Sequence, residues 1–169
     1  LFPTRPNLLS RITTGTGMVT DITYTTAAQA QAEAAESWQS TLPFPAIMVA
    51  STTTYDALNA PQQLTRYEYS SPYYDAELRD FRGFEQVVSH TAGDESQEDS
   101  LEVSIFDVGM EDRYRHGLRL SSAVYAVNEG QREALVTTFN TFEPCAIDLP
   151  DRIDGPITPQ RYCLTEERE

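Results

Sequence analysis

Apolar and polar residues alternate with a period of two over most of this chain, and Gly, Pro, Asn and Ser interrupt them at short intervals. Tyr67 and Tyr69 fall on one face of a strand, with Arg66 and Glu68 on the other, because successive side chains point to opposite sides. Residues 7–14 and 18–25 read as a β-hairpin about Gly15-Thr16-Gly17, whose glycines permit positive φ. Met18, Ile22 and Tyr24 share one face of its second strand, Asp21 and Thr23 the other. Pro43-Phe44-Pro45 enforces extended backbone ahead of a Thr-rich strand from Ile47 to Tyr55, and Asn59-Ala60-Pro61 is a turn. Gln63 to Tyr69 pairs back antiparallel. Ser70-Ser71-Pro72 then breaks the run, and Phe81, Gly83 and Val87 resume it.

Further on, Leu101, Val103 and Ile105 alternate as a strand. Leu118–Val127 and Ala134–Phe142 form a second hairpin turned at Asn128-Glu129-Gly130, and Arg161–Thr165 fits a final edge strand. The Pro- and Asp-rich stretch 144–159 reads as a linker or a long connection. One segment departs from period two: residues 27–37 are rich in Ala and contain no Gly or Pro. Thr26 with Gln29 makes a capping box, which predicts a short helix. Its apolar positions are alanines up to Trp38, so it should cover a surface lightly and form no deep core; a mobile excursion between strands is the alternative. Gly93 to Asp99 holds no apolar residue, so 92–100 is an acidic loop dividing a first β segment, 1–91, from a second, 101–169. The fold class is mainly β, antiparallel hairpins with one short helix and eight or nine strands. No tandem repeat of 20 to 50 residues stands out.

Charge narrows the function. A net charge of −14 excludes a nucleic-acid role, since phosphate binding needs clustered cations. All 12 basic residues are arginines, scattered and not gathered into a patch. No run approaches the roughly 20 apolar residues of a membrane span. The chain opens on Leu1-Phe2-Pro3 without Met, as a piece of a longer polypeptide would. Cys145 and Cys163 are equally compatible with a disulfide and with two buried thiols.

Three motifs in order resemble one family. Asn7-Leu8-Leu9-Ser10-Arg11-Ile12 leads through Gly15-Thr16-Gly17 to Thr20-Asp21-Ile22-Thr23-Tyr24. Trp38 is followed by Leu42-Pro43-Phe44-Pro45 and Val49. Arg66-Tyr67-Glu68-Tyr69, Tyr73-Tyr74-Asp75 and Arg79-Asp80-Phe81-Arg82-Gly83-Phe84 complete the set. The chain thus resembles the middle region of the B component of bacterial toxin complexes (Tc) and the related Rhs/YD-repeat shell proteins. The match is looser after residue 100, where Gly117-Leu118-Arg119-Leu120 to Val124-Tyr125 carries it. Departures include Pro72 where the family has Gly, Glu85 where Gly follows the second Phe, and Ile105 to Gly109 where the family has Trp-Phe-His-Thr-Gly.

The resemblance implies part of a large spiralling β-sheet shell, secreted, that encloses a toxic C-terminal cargo and hands it to a channel. The implied partners are the remainder of the shell polypeptide, a C-type shell subunit, the encapsulated toxin and a pore-forming translocation subunit. The family's self-cleaving protease motif, Asp-Pro-x-Gly-Leu, is not reproduced by Asp151-Arg152-Ile153-Asp154-Gly155-Pro156, and the propeller that docks a pore is not visible.

No catalytic, cofactor-binding or metal-ligating residue is nominated, and the chain reads as a non-enzyme without cofactors. Asp94, Glu95, Glu98 and Asp99 lack the alternation of a calcium loop and read as a solvated acidic loop. Asp107, Glu111, Asp112 and His116 offer acids and a base without a nucleophile at diagnostic spacing, which is ordinary surface polarity. His90 and His116 have no Cys or His at ligand spacing. Tyr67, Tyr69, Tyr73, Tyr74, Phe81 and Phe84 suit a cross-strand aromatic ladder better than a sugar platform. Arg79 and Arg82 suit stacking on Tyr or pairing with Asp75 and Asp80. Gly83, between Phe81 and Phe84, suits a close backbone approach or a bulge. The competing class is a secreted β-sandwich module that binds glycan or protein.

Overall fold

Among the described residues, nine antiparallel strands follow one another in chain order across a single sheet. The computed structural model describes residues 7–34, 38, 40, 42–56, 62–94, 98–128, 130–146 and 160–168. The strands are β1 Arg11–Thr13, β2 Met18–Thr26, β3 Ile47–Asp56, β4 Gln63–Asp75, β5 Asp80–Thr91, β6 Asp99–Asp107, β7 Leu118–Asn128, β8 Gln131–Cys145 and β9 Arg161–Arg168. Each pairs with its sequence neighbour, across short turns for most pairs and across the α1 excursion between β2 and β3 and the residues between Cys145 and Arg161. The first hairpin closes about Gly17 (φ 90), where the Thr14 amide donates to the Met18 carbonyl at 2.9 Å. The turn expected at Asn59-Ala60-Pro61 lies outside the described residues, as does most of the 144–159 stretch. Of that stretch, Pro144 and Cys145 end β8 and do not begin a linker.

The expected break at Ser70-Ser71-Pro72 does not occur; β4 runs on to Asp75. The reason is local. The β3 ladder reaches β4 only at residues Gln63 to Arg66, so from Tyr67 onward β4 pairs on the β5 side alone. Proline's missing N–H is tolerated where a strand has such a free side. Ser71 absorbs the disturbance with φ 52. The acidic loop also ends sooner than expected: Asp99 and Ser100 already belong to β6, and Thr91 pairs with Ser100 across it. The sheet is therefore continuous through residue 100.

The one α-helix among the described residues, α1 (Ala27–Glu33), starts as the capping residues predict: the Thr26 hydroxyl accepts from the Gln29 amide at 3.2 Å. The reciprocal half of the box is absent, because the Gln29 side chain donates to Glu33 one turn on at 3.1 Å. The excursion from α1 to Pro45 is more than a light cover. Among the described residues, the cluster of buried apolar side chains sits here: Ala27, Trp38, Ala46 and Met48, with Tyr69, Phe84 and Phe44 packed against them. Two aromatic residues beyond the helix, Trp38 and Phe44, supply what the alanines lack.

Elsewhere the sheet buries little. No side chain among the described residues falls below 2% exposure, while Leu135 (63%), Phe139 (57%) and Leu164 (51%) on β8 and β9 face solvent. An open sheet with one shallow core has this signature.

Candidate functional site

Three adjoining features organise the β4–β5 side of the sheet: an aromatic cluster, a buried arginine and a looped cap. The cluster begins from a bulge. Tyr74 stands opposite Phe81 and Tyr73 opposite Gly83, so Arg82 is the extra residue. Gly83 takes φ 96, as the bulge reading of the sequence requires. One consequence was not legible from strict alternation. The bulge puts Phe81 and Phe84 on one face, rings 5.5 Å apart and edge-on. Phe44 meets Phe81 at 5.7 Å and Tyr74 at 5.6 Å, and Trp38 meets Phe84 at 5.7 Å. Tyr69 reaches Phe84 at 5.0 Å although Phe84 stands opposite Pro72, on the face that alternation denies Tyr69. The left-handed Ser71 between them is where alternation fails. Tyr69 donates its hydroxyl to the Val49 carbonyl at 3.0 Å, and burial pushes its pKa up, with Tyr67 adding to the rise. Tyr67 belongs to another neighbourhood, with its hydroxyl 3.5 Å from that of Thr52. The rings are thus the floor beneath the excursion. A sugar platform would need them exposed.

Arg82, pushed out by the bulge, is 7% exposed. Its Nε lies 3.1 Å from Asp80 and its Nη2 3.5 Å from Asp75, while Nη1 donates to the Arg113 carbonyl at 3.3 Å. The Nε–H is not aligned on the Asp80 oxygen, so that attraction is coulombic. Arg82 therefore takes the structural pairing expected of these arginines, and Arg79 occupies the intervening turn with φ 53. Arg82→Met should cost about 1–3 kcal/mol, because it leaves Asp75 without its partner and the Arg113 carbonyl without a donor. Hydrogen exchange at Asp80–Phe84 in the full polypeptide would report it.

Of the acids grouped as ordinary surface polarity, Asp107 and Asp112 are more than that, since hydrogen bonds fix both. Asp107 accepts from the Gly109 amide at 2.8 Å and from Arg115 Nε at 2.6 Å. Asp112 caps the short 3₁₀ turn Arg113–Arg115 by accepting from the Tyr114 amide at 2.9 Å, and its other oxygen accepts from the Tyr162 hydroxyl at 2.6 Å. The Arg115 guanidinium also lies over the Tyr162 ring at 5.0 Å. Gly109 (φ 70) is crowded, a Cβ there meeting the Arg113 backbone at 3.1 Å. The loop from Val108 to Gly117 is thus a fixed clip joining β6, Arg82 and β9. His116 contributes its backbone amide to the Arg113 carbonyl at 3.4 Å.

The Tyr162 hydrogen bond, foremost, and the Tyr114 amide hold the Asp112 carboxyl below its usual value of 3.8; the same bond raises Tyr162. A depressed carboxylate stabilises the fold fully above its unfolded pKa and stops doing so as pH falls through the folded one. The clip should therefore hold at neutral pH and loosen below about pH 4. Asp112→Asn should abolish that acid-side dependence for β9, read as amide exchange at residues 161–168 between pH 6 and pH 3. A pH dependence that persisted in the variant would assign it elsewhere.

The acidic loop has a similar explanation. Asp99 accepts from the Gly93 amide at 2.7 Å and lies 3.4 Å from His90 Nε2, and Glu98 accepts from Asn128 at 2.8 Å. These carboxylates tie the β5–β6 connection to its neighbours. Among the described residues, no three His, Cys, Asp or Glu side chains are grouped to hold a metal ion, and no helix is long and apolar enough to cross a membrane. The cysteines, left open by the sequence, are bridged, with Cα atoms 5.8 Å apart.

Solved structures share this architecture. The TcdB2–TccC3–TEV crystal structure superposes with a TM-score of 0.75 at 15% identity, covering 95% of this chain and 10% of that one. TcdB2–TccC3 gives 0.72 at 15%, covering 90% and 10%. The Photorhabdus luminescens Tc holotoxin pore gives 0.68 at 16%, covering 81% and 9%. At such identity the likeness is one of fold, and this chain spans about a tenth of each. No curated protein sequence matches it. The nine-stranded open antiparallel sheet is the fold of the neighbouring toxin-complex structures, and the family model described as the insecticide toxin TcdB middle/N-terminal region matches residues 3–114. That is well over half of the sequence, and the chain belongs to that family.

Proposed function

We propose that this chain is a non-catalytic wall section of a secreted, Rhs/Tc-type β shell that sequesters a toxic C-terminal cargo and helps deliver it. The observation that carries this reading is the open sheet itself. It has one shallow core, apolar side chains left exposed on β8 and β9, and a single-partner strand at either end. Such a sheet gains stability by continuing into further strands, and a closed wall of strands removes exposed edges and isolates a volume. The rest of the shell polypeptide, a C-type shell subunit, the enclosed toxin and a pore-forming translocation subunit are its partners in this reading. Its hydrogen-bonded carboxylates serve loop geometry, so no residue here needs to make or break bonds. The segments 1–91 and 101–169 act as one wall, joined through the acidic loop.

Protease protection of the cargo tests containment in the full polypeptide assembled with its partner subunit. Deleting Gln63 to Phe84 removes paired strands and most of the aromatic floor, so the cargo should become protease-sensitive. His116→Ala should leave protection and delivery within a few-fold of the parent, as exposed polar positions usually shift stability by only about 0.5 kcal/mol. Lost delivery from His116→Ala with the cargo still protected would contradict passive containment. A secreted sandwich module that binds glycan or protein would instead show no cargo dependence in the deletion.

A further inference from the structure

We propose that the boundary between β3 and β4 is a built-in seam, closed by the α1 excursion as a plug, and that it parts before the rest of the sheet opens. β2 pairs with β3 from Met18 to Thr26, and β4 with β5 from Thr65 to Asp75. Among the described residues, β3 meets β4 at four positions only, from Ser51 opposite Arg66 to Thr54 opposite Gln63. Ile47 to Ala50 and Tyr67 to Asp75 therefore share no ladder, well inside the sheet and away from both of its ends. Across that gap the Tyr69 hydroxyl donates to the Val49 carbonyl at 3.0 Å. A ladder that stops in mid-sheet leaves backbone groups for something else to cover.

The excursion is that cover, and its attachment is light. Its ends are pinned together where the Ala27 amide donates to the Ala46 carbonyl at 2.9 Å and Thr26 pairs with Ile47, so it can lift without parting β2 from β3. On the other side it rests on β4 and β5 by ring contacts, Trp38 on Phe84 and Phe44 on Tyr74 and Phe81. The Ser40 hydroxyl adds a hydrogen bond to the Pro72 carbonyl. Beneath the plug, Met48 and Pro72 are buried. The Trp38 indole N–H is buried with no hydrogen-bond partner among the described residues, a cost to the closed state that water relieves when the plug lifts. Packing without a ladder sits at the low end of local stability, below β6, which is paired on both sides from Ser100 to Ile105. In a wall, this is the line that parts first. The seam itself does not depend on what the sheet encloses.

Methionine oxidation by hydrogen peroxide in rising urea, on the full polypeptide assembled with its partner subunit, tests this, because opening makes a buried thioether reactive. Met48 is 7% exposed. It should oxidise at least about tenfold faster than in buffer at urea concentrations where the amides from Ser100 to Ile105 keep their protection from exchange. Met110, 67% exposed, reports on the reagent and should react alike throughout. Trp38→Ala should raise Met48 oxidation in buffer roughly a hundredfold, with Ser100 to Ile105 unchanged. Should that variant fail to fold, the urea arm on the parent still decides. Met48 reacting only together with exchange at Ser100 to Ile105 would overturn the proposal. So would Met48 oxidising in buffer as fast as Met110, because no plug would then be closed.

Discussion

Replacing Trp38 with alanine should cost about 3 kcal/mol and lift the excursion between β2 and β3 off the sheet. Truncating a buried Trp usually costs about 3–5 kcal/mol, and the lower figure applies because this cluster is shallow. Trp38 is 7% exposed and leans edge-on against Phe84, and that ring in turn contacts Phe81 and Tyr69. Removing the indole leaves a void between α1 and the bulged hairpin that Ala27 and Ala46 are too small to fill. Among the described residues the indole N–H has no hydrogen-bond partner, so the expected loss is one of packing. Faster amide exchange at Met48 and Phe84 in the full polypeptide would record it. Leu78→Ala, at a 52%-exposed turn position, is the control and should change little.

Gly83→Val should be the next most damaging single substitution, at about 2–3 kcal/mol. The cause is backbone conformation, since a Cβ at Gly83 would meet nothing within 4 Å. At φ 96 a β-branched residue is strained wherever its side chain points. Restoring ordinary φ would erase the bulge, return Arg82 to the regular alternation and part Phe81 from Phe84. Gly83→Asn should be much milder, because Asn tolerates positive φ. If Val and Asn proved equally harmful, the damage would have to come from lost space and not from the bulge.

Much of this fold was legible because period-two patterning survives wherever a strand has two distinct faces. The hairpin about Gly17, the strand through Leu101 and the pairing of Leu118–Asn128 with the strand that follows are the elements that alternation and turn residues indicate, with shifted ends: β1 is only Arg11–Thr13, β6 starts at Asp99 and β8 at Gln131. What failed depends on a neighbour. Pro72 reads as a breaker unless one knows that β3 has already stopped pairing with β4. Phe81 and Phe84 read as opposite-facing until Arg82 is counted as a bulge. Asp107 and Asp112 looked like surface acids because their partners, Arg115 and Tyr162, come from the loop end and from a strand 50 residues on. The disulfide was undecidable for the same reason: its geometry comes from the register between β8 and β9, and spacing carries no trace of that. The resemblance to toxin-complex B components rested on ordered local motifs, and a family match over residues 3–114 supports it.

The direct measurement is a cryo-electron microscopy structure of the full polypeptide with its partner shell subunit and cargo, viewed at the two ends of this sheet. The outer edge of β1 (Arg11–Thr13) and that of β9 (Arg161–Arg168) should each be hydrogen-bonded to a strand from flanking sequence, in a wall around the cargo. Both edges open to solvent, in a self-contained module joined to the rest by linkers, would contradict a shell.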